Sequence, residues 1–543
     1  MDKSVVFEIG DLYNNAGLVG FVKVLEQLDK YEKYYEINGD NVTIDKEFLL
    51  NANLTQAVFD TYIKTFYKDL KYTKILNEID LILKQIDENS DLDEIKDLLK
   101  EFKNDLTGGN KFKTGYEIIS TKIQDENNIF EKIKLITSKQ ECESIKEDLL
   151  IIKKYLIIPE VKEIMYMKDI AYGIIDRFWS DKGFLLRSNA KKNMQESYYK
   201  AFEEPFKQQL NNTKVGKNYC SNCLELVNTL NAYTFVKGMG DDFNRKTSVF
   251  WNFKQDKGIC AKCMFLYSLI PLGFIKNGRD FIFINNNTSV DALINMNNLK
   301  LTEENSNISR NQIYNHIISR YLKTNENKLD NIEVANVYGN EEKYNLDIIN
   351  RYQLQLIRDS EKDLEFLSKG YVVRINGDYV NIYQEVTDAI IRNKNLYTIL
   401  NKIIEASIKD KDNSYLVRLM NPILNIEIHK EKIIREDENM DKEFYFAGKQ
   451  GASLLFKMKA TGQDDSYVIG ITYKLLNALK KENIDDFLDV VMRLCNSLKT
   501  DMPTCFINHM HDKKMFKKIG YAFLTGLRGG IYNKENKEGG NNE

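Results

Sequence analysis

Two C-x-x-C pairs constrain the fold of this chain more than any other feature. Cys220 and Cys223 form the first pair, and Cys260 and Cys263 form the second. Two residues between cysteines let both thiolates of a pair face one cation, so two pairs predict a tetrahedral sulfur cage. A structural Zn²⁺ site is the favoured interpretation, with a pair of redox dithiols or an iron–sulfur cluster as alternatives. Four cysteine ligands leave no open coordination position, so we expect the metal to stabilise the fold.

Length and composition are those of an ordinary globular protein with several domains. At 543 residues the chain is too long for one hydrophobic core. Its formal net charge is −3, so any contact with phosphate must come from local basic patches. No long uncharged apolar run occurs, and we expect no membrane partner. The amino terminus lacks a secretion-signal pattern, and paired C-x-x-C motifs then favour a reducing cytoplasm.

Hydrophobic periodicity predicts a predominantly helical α+β fold. Turn signals add short strands, including Val5–Ile9 and a hairpin around residues 37–44. The predicted divisions are a mixed N-terminal α+β domain (1–205), a zinc-finger-like four-cysteine insertion (206–285), a middle α+β region (286–435), a C-terminal helical bundle (436–532) and a disordered tail (533–543).

A helix is predicted shortly after the first strand. Asn14 or Asn15 is the expected cap, because asparagine side chains accept hydrogen bonds from the first turn of a helix. Gly17 and Gly20 follow the cap. They are expected to permit close packing of another segment, with a close backbone approach to a ligand as the alternative.

Three segments carry basic residues in settings that suit nucleic-acid binding. Residues 107–117 are rich in glycine and predict a flexible cationic loop. Residues 176–206 interleave aromatic and basic side chains, which can stack on bases and hold phosphates. The alternatives are an ordinary connector and buried aromatic rings beside a solvated turn. With the insert between the cysteine pairs, the candidate residues are Asn110, Lys111, Lys113, Arg187, Lys191, Lys192, Lys237, Arg245 and Lys246.

The sequence contains no convincing catalytic motif. Its four histidines, at positions 316, 429, 509 and 511, stand outside metal-binding and hydrolase patterns. Neither a nucleophile elbow nor a phosphate-binding loop occurs. We therefore expect a binding protein with no catalytic residues.

Four stretches together resemble the large subunit of the type I-B CRISPR surveillance complex, Cascade, in the branch marked by a CXXC–CXXC region. They are YNNAGLVGF, FWSDKGFLLRSN, the two cysteine pairs with FLYSLIPLGF, and KKIGYAFLTGLRGG. They occur in this order over nearly the whole chain.

The resemblance implies a non-catalytic role in RNA-guided recognition of DNA. Its implied partners are a guide-RNA ribonucleoprotein with the backbone subunits of Cascade, the target duplex with its displaced strand, and a helicase-nuclease. The large subunit reads the short PAM duplex and helps to open the target, while the guide RNA reads the sequence. The carboxy-terminal bundle is expected to act like the small subunits, and Met440 is placed for an internal start. A zinc-stabilised scaffold or a thiol-redox protein without a nucleic-acid role is the alternative.

Overall fold

The structure is a computed structural model of the chain. It describes residues 3–28, 34–88, 92–123, 128–136, 142–212, 216–238, 258–298, 310–323, 331–337, 344–375, 378–409, 414–435 and 440–530. Helices dominate the described residues, and several small sheets accompany them. The predicted fold class, a predominantly helical α+β protein, is confirmed. No helix in these ranges is both long enough and apolar enough to cross a membrane.

The chain divides into two compact units. The first comprises Met1–Asn307 and Ile332–Ile348, and the second comprises Ile308–Asn331 and Ile349–Glu543. Both cysteine pairs therefore belong to the same unit as the amino-terminal helices. The five-part division made from the sequence stays a prediction, and its tail over 533–543 lies outside the described residues.

The first unit combines helices with small sheets. Its helices are α1 (Leu12–Leu28), α2 (Lys46–Asn51), α3 (Leu54–Phe66), α4 (Lys71–Asp87), α5 (Leu92–Thr107), α6 (Asn110–Ile119), α7 (Ile129–Leu135), α8 (Cys142–Leu156), α9 (Pro159–Gly173), α10 (Met194–Tyr198), α11 (Glu204–Asn211), α12 (Ala261–Ser268), α13 (Ile270–Gly273) and α14 (Val290–Asn297). Its strands are β1 (Ser4–Glu8), β2 (Tyr35–Asn38), β3 (Asn41–Asp45), β4 (Asn218–Tyr219), β5 (Leu226–Val227), β6 (Ile275–Asn277), β7 (Asp280–Asn286), β8 (Ile332–Val337) and β9 (Tyr344–Ile349).

The strand and the hairpin predicted near the amino terminus are confirmed. β3 lies between β1 and β2 and is antiparallel to both. Ser4 stands opposite Asp45 at one end of the β1–β3 ladder, and Glu8 stands opposite Asn41 at the other. The β2–β3 turn contains Gly39 with a φ of +58°, which glycine adopts without steric cost.

The predicted caps of α1 are wrong. The helix begins at Leu12, and the Asp11 carboxylate accepts a hydrogen bond from the backbone N–H of Asn14 at 2.8 Å. Asn14 and Asn15 lie inside the first turn and are buried. Their side-chain amides are therefore available to bind other segments of the first unit.

The predicted flexible loop over residues 107–117 is also wrong. α6 begins at Asn110, directly after Gly109, and runs on through the basic residues. Phe112, Ile118 and Ile119 are buried on one face of this helix. The burial of that apolar face outweighs the low helix propensity of the glycines.

The core of the first unit contains an unusually close crossing of α1 with α12 and α13. A Cβ atom added to Gly17 would lie 2.5 Å from the carbonyl oxygen of Leu266, and one added to Gly20 would lie 2.3 Å from that of Leu269. From the other side, a Cβ on Gly273 would lie 2.0 Å from the Ala16 carbonyl oxygen. The predicted packing role of Gly17 and Gly20 is confirmed.

We expect Gly17→Ala to destabilise the first unit by about 1–3 kcal/mol, because the added methyl group overpacks the crossing. The better helix propensity of alanine offsets at most about 1 kcal/mol of this loss. Denaturant unfolding followed by tryptophan fluorescence measures the change, since the fully buried Trp179 lies in this unit.

Gly173→Ala at the end of α9 is the matched control. Its added Cβ would meet only one atom, the Asp169 Oδ1, at 3.8 Å, which is ordinary contact. We expect this variant to unfold within about 0.5 kcal/mol of the unmodified protein. Equal stability of the two variants would show that α1 does not need glycine at the crossing.

The second unit is mostly helical. Its helices are α15 (Arg310–Lys323), α16 (Arg351–Asp359), α17 (Glu361–Leu367), α18 (Ile382–Ile391), α19 (Tyr397–Lys409), α20 (Ser414–Arg435), α21 (Met440–Ala460), α22 (Asp465–Lys480), α23 (Ile484–Ser497) and α24 (Lys513–Leu527). Two antiparallel strands, β10 (Val372–Ile375) and β11 (Asp378–Asn381), form a hairpin. Phe487 packs edge-on against the rings of Phe506, Phe516 and Phe523, which joins α23 to α24.

Candidate metal centre and nucleic-acid interface

The structure brings the four predicted metal ligands into one cluster. The sulfur atoms of Cys220, Cys223, Cys260 and Cys263 all lie within 4.8 Å of one another. Cys220 and Cys263 are 3.8 Å apart at sulfur, and Cys223 and Cys260 are 3.7 Å apart. A tetrahedron of sulfurs about 2.3 Å from a central Zn²⁺ has edges of about 3.8 Å. The cluster therefore has the size of a four-thiolate zinc site.

The first cysteine pair lies in the turn between β4 and β5. The backbone N–H of Cys220 donates to the Glu225 carbonyl, and that of Leu224 donates to the Cys220 carbonyl, each at 3.0 Å. Leu224 adopts a φ of +60°, which is uncommon for a residue with a side chain. This tight turn points both thiols of the pair toward the second pair.

The second pair lies at the start of α12. Cys260 is the N-cap residue, and its sulfur accepts a hydrogen bond from the backbone N–H of Cys263 at 3.4 Å. The Cys260 N–H itself donates to the sulfur of Cys220 at 3.2 Å. Backbone N–H groups at a helix start favour thiolate over thiol, so α12 supplies part of the electrostatic support for the cluster.

The four thiols do not ionise independently. Hydrogen bonds from Cys223, Cys260 and Cys263 hold the pKa of the Cys220 thiol well below its usual range. Hydrogen bonds with Cys220, Cys223 and Cys260 raise the pKa of the Cys263 thiol, and that with Cys220 has the largest effect. One thiolate is thus stabilised by protonated neighbours, and full deprotonation requires a cation among the sulfurs.

An asparagine pair connects the cluster to α1. The side-chain amide of Asn222 donates to the sulfur of Cys263 at 3.3 Å and to the Asn14 side-chain oxygen at 2.9 Å. The Asn14 amide donates in turn to the Glu8 carbonyl at 2.7 Å. A hydrogen bond to a ligating sulfur orients the ligand and disperses its charge. The position of α1 and the geometry of the cluster are therefore linked directly.

The end of α12 is joined to the rest of the core through Ser268, which is fully buried. Its carbonyl oxygen accepts hydrogen bonds from the Tyr62 hydroxyl at 3.0 Å and from the Trp179 indole at 3.1 Å. The Ser268 hydroxyl lies 2.6 Å from the Tyr198 hydroxyl. These side chains satisfy a carbonyl that the short helix leaves without a backbone partner.

We expect the protein to carry one metal ion per chain, measurable by elemental analysis of the purified protein. Cys260→Ser should remove the ion and lower the stability of the first unit, because the cluster loses a ligand at its centre. Cys142→Ser is the matched control, since Cys142 begins α8 and does not belong to the cluster. Equal metal content in both variants would contradict the assignment.

Asn222→Ala should retain the metal but bind it about 10–100-fold more weakly, because the variant loses a hydrogen bond to a ligating sulfur. Competition with a chelator of known affinity measures the change. Asn218→Ala is the control: the exposed Asn218 side chain donates to the Asn228 carbonyl at 3.0 Å. If the two variants hold the metal equally well, Asn222 does not support the site.

The candidate residues of α6 differ in how available they are. Lys111 is partly buried and forms an ion pair with Asp169, a residue of α9 with a side chain that is only 6% exposed. Asn110 and Lys113 are exposed. Lys111 therefore supports the packing of α6 on α9, whereas Asn110 and Lys113 face solvent.

The candidates Arg187, Lys191 and Lys192 are exposed on a turn beside α6. Lys191 forms an ion pair with Glu117 of α6 at 3.0 Å. The buried Lys168 of α9 donates to the Ala190 carbonyl at 2.6 Å and so holds the turn in place. Burial lowers the pKa of Lys168 to about 8. The structure thus brings two of the three predicted basic segments together, although their binding role stays a prediction.

The third basic segment is only partly described. The backbone N–H of Lys237 donates to the Phe178 carbonyl at 2.8 Å, and its ammonium lies 3.7 Å from the Asp176 carboxylate. Lys237 is therefore adjacent to the second segment. Arg245 and Lys246 lie outside the described residues.

Sequence reasoning missed three polar residues that shape these sites: Lys168, Lys182 and Asn222. Lys168 and Lys182 make their contacts with residues outside their own local segments, so no local pattern indicates these two lysines. Asn222 differs, because its position between two cysteines of a C-x-x-C pair is the setting in which an amide most readily reaches a sulfur.

Comparison with known protein families gives one match in this region. Residues 214–275, from the approach to β4 to the start of β6, match the model of the family described as CRISPR-associated protein (Cas_CXXC_CXXC). The matched stretch includes all four clustered cysteines and α12. This match supports the interpretation of the chain as a CRISPR-associated protein. The comparison with curated proteins finds no match.

Proposed function

We propose that the protein is the non-catalytic large subunit of a type I-B RNA-guided surveillance complex in the cytoplasm. In this role it recognises the PAM duplex, aids unwinding of the target and stabilisation of the displaced strand, and supports recruitment of a helicase-nuclease. Its partners are then a guide-RNA ribonucleoprotein with its backbone subunits, target DNA and small subunits similar to its own carboxy-terminal bundle. The cysteine cluster holds a structural Zn²⁺ in this proposal.

The observation that carries the proposal is the family match over the cysteine cluster. A closed cage of four sulfurs suits architecture, because a catalytic zinc site keeps a position open for water or substrate. The exposed cations of the α6 segment and of the neighbouring turn supply a surface with the charge that a phosphate backbone requires.

Purification of the protein from its native host, with sequencing of the small RNA that accompanies it, tests the proposal. We expect discrete RNAs that share a repeat-derived 5′ segment, together with backbone subunits. A gently handled preparation without RNA and without such subunits would remove the proposal. The zinc-stabilised scaffold and the thiol-redox protein would then be separated by metal content and thiol reactivity.

The carboxy-terminal bundle offers a separate test of the subunit composition. α21 begins at Met440, so an internal start there would yield a product that opens with a helix. A carboxy-terminally tagged form should give a second, short band if this start is used. A single full-length band would contradict the internal start without affecting the rest of the proposal.

We expect exposed cations to set the salt dependence of DNA binding. Among the described residues, Lys113 and Arg187 are exposed and have no carboxylate partner. Replacing both with alanine should reduce the slope of log affinity against log salt by about 0.9 for each phosphate that the variant no longer neutralises. Binding of the purified complex to its target duplex from about 50 to about 200 mM salt measures this slope.

The control pair for this measurement is Lys84→Ala with Lys146→Ala, which removes the same charge. Lys84 is paired with Glu88 at 3.8 Å and Lys146 with Asp87 at 2.6 Å. We expect the control to leave the slope unchanged. If both double variants change it equally, the surface of α6 and the turn has no specific role.

A further inference from the structure

A cavity of about 470 Å³ opens along the second basic segment. Three lysines, Lys182, Lys192 and Lys200, line it together with Asn189 and two acidic residues, Asp181 and Glu196. Its volume falls within the range of about 300–1,000 Å³ that is typical of ligand sites.

Lys182 is the unusual member of this lining. Its ammonium lies 5.9 Å from the ring centre of Phe202 and 5.3 Å from that of Phe235. Among the described residues no carboxylate pairs with it, and burial alone lowers the pKa of this lysine. A partly buried cation without a counter-ion costs free energy, so the position favours an anion that arrives from outside.

The other charges of the cavity are already balanced or open to solvent. Lys200 pairs with Glu196 at 2.6 Å, and both side chains are largely exposed. Asp181 is exposed, and its carboxylate lies 3.4 Å from the Ser180 hydroxyl. Lys192 is exposed. Lys182 is therefore the partly buried cation of the cavity that lacks a carboxylate counter-ion among the described residues.

The cavity also has an apolar side. Leu186, Pro205 and Met264 line it as well, and Met264 is almost fully buried. The side chain of Leu186 is 40% exposed, which leaves apolar surface open to a ligand. Apolar contact with the face of a base, beside a cation for a phosphate, is the combination that proteins use for unpaired nucleotides.

The walls of the cavity adjoin the cysteine cluster and the aromatic core. Met264 follows Cys263 directly, and Asn231 pairs with Ile259 through backbone hydrogen bonds of 2.8 and 2.9 Å. Phe235, under the Lys182 ammonium, accepts a backbone hydrogen bond from Ser180 at 2.8 Å. The site is thus preorganised by elements that pack independently of any ligand.

We propose that this cavity binds one nucleotide of an unpaired nucleic-acid strand, with its phosphate on Lys182 and its base against Leu186 and Pro205. A base paired within a duplex is stacked between its neighbours and cannot enter a concave site, whereas an unpaired nucleotide can turn out of the strand. This inference rests on the proposed function and adds a single-strand site to it. The strand is either RNA or DNA, since both present the same phosphate.

The test measures binding of the full-length protein to single-stranded RNA, single-stranded DNA and duplex DNA of equal length. Lys182→Met keeps the packing over the two rings and removes the charge. We expect about tenfold weaker binding of a single strand, a salt slope smaller by about 0.7, and little change for the duplex. Lys182→Arg should retain most of the affinity, because it restores the cation. A preference between the two single strands identifies the source of the nucleotide.

Stability separates a binding role from a structural one. Since the Lys182 ammonium is desolvated and has no carboxylate partner among the described residues, Lys182→Met should unfold at the same denaturant concentration as the unmodified protein or at a higher one. Lys146→Met, outside the cavity and paired with Asp87 at 2.6 Å, is the matched control and should bind a single strand with unchanged affinity.

Three outcomes would overturn the inference, and they differ in whether the proposed function also fails. If Lys182→Met binds single strands as tightly as the unmodified protein, the cavity has no nucleotide role while the proposed function stands. If Lys182→Met and Lys146→Met weaken binding equally, only diffuse charge acts. If the unmodified protein binds no nucleic acid and carries no guide RNA from its host, the proposed function fails as well.

Discussion

The close crossing of α1 with α12 and α13 is the interaction on which the first unit depends. Glycines at the contact allow the backbones of the crossing helices to approach closely. Helices α12 and α13, which follow the second cysteine pair, therefore pack directly against α1 in the core of the first unit. Asn222 then joins a sulfur of the cluster to Asn14 in α1. The cysteines therefore do not form a separate zinc-finger domain but belong to the first unit. They fix the start of a helix that the remaining core is built around.

Helix α12 also positions residues beside the exposed cationic surface. Ser268 at its end accepts hydrogen bonds from Tyr62 and Trp179, and Trp179 opens the segment that carries Lys182 and Arg187. Met264, which belongs to this helix, and Lys182 line the same cavity. Under the proposed function, a metal bound by the cluster would act on nucleic-acid contacts through position rather than chemistry, because it would order the backbone from which the contacting side chains extend.

The sequence predicted the features that depend on local spacing. Two residues between cysteines define the cluster, and the turn chemistry around Gly39 defines a hairpin. The prediction failed where distant packing decides. α6 forms because Phe112 and Ile118 are buried against residues far away in the chain, despite the adjacent glycines. The contact between Asn222 and Asn14 spans 208 residues, and no pattern within either segment could indicate it.

Hydrogen–deuterium exchange of the metal-loaded protein, compared with the same protein after chelation, tests the central claim that the cluster and the α1 crossing are one cooperative element. We expect faster exchange after metal removal in α1, α12 and α13 as well as in the two cysteine turns, with α21 to α24 unchanged. A change confined to the turns at residues 218–227 and 258–263 would contradict it, because the cluster would then be a local clamp without influence on the core.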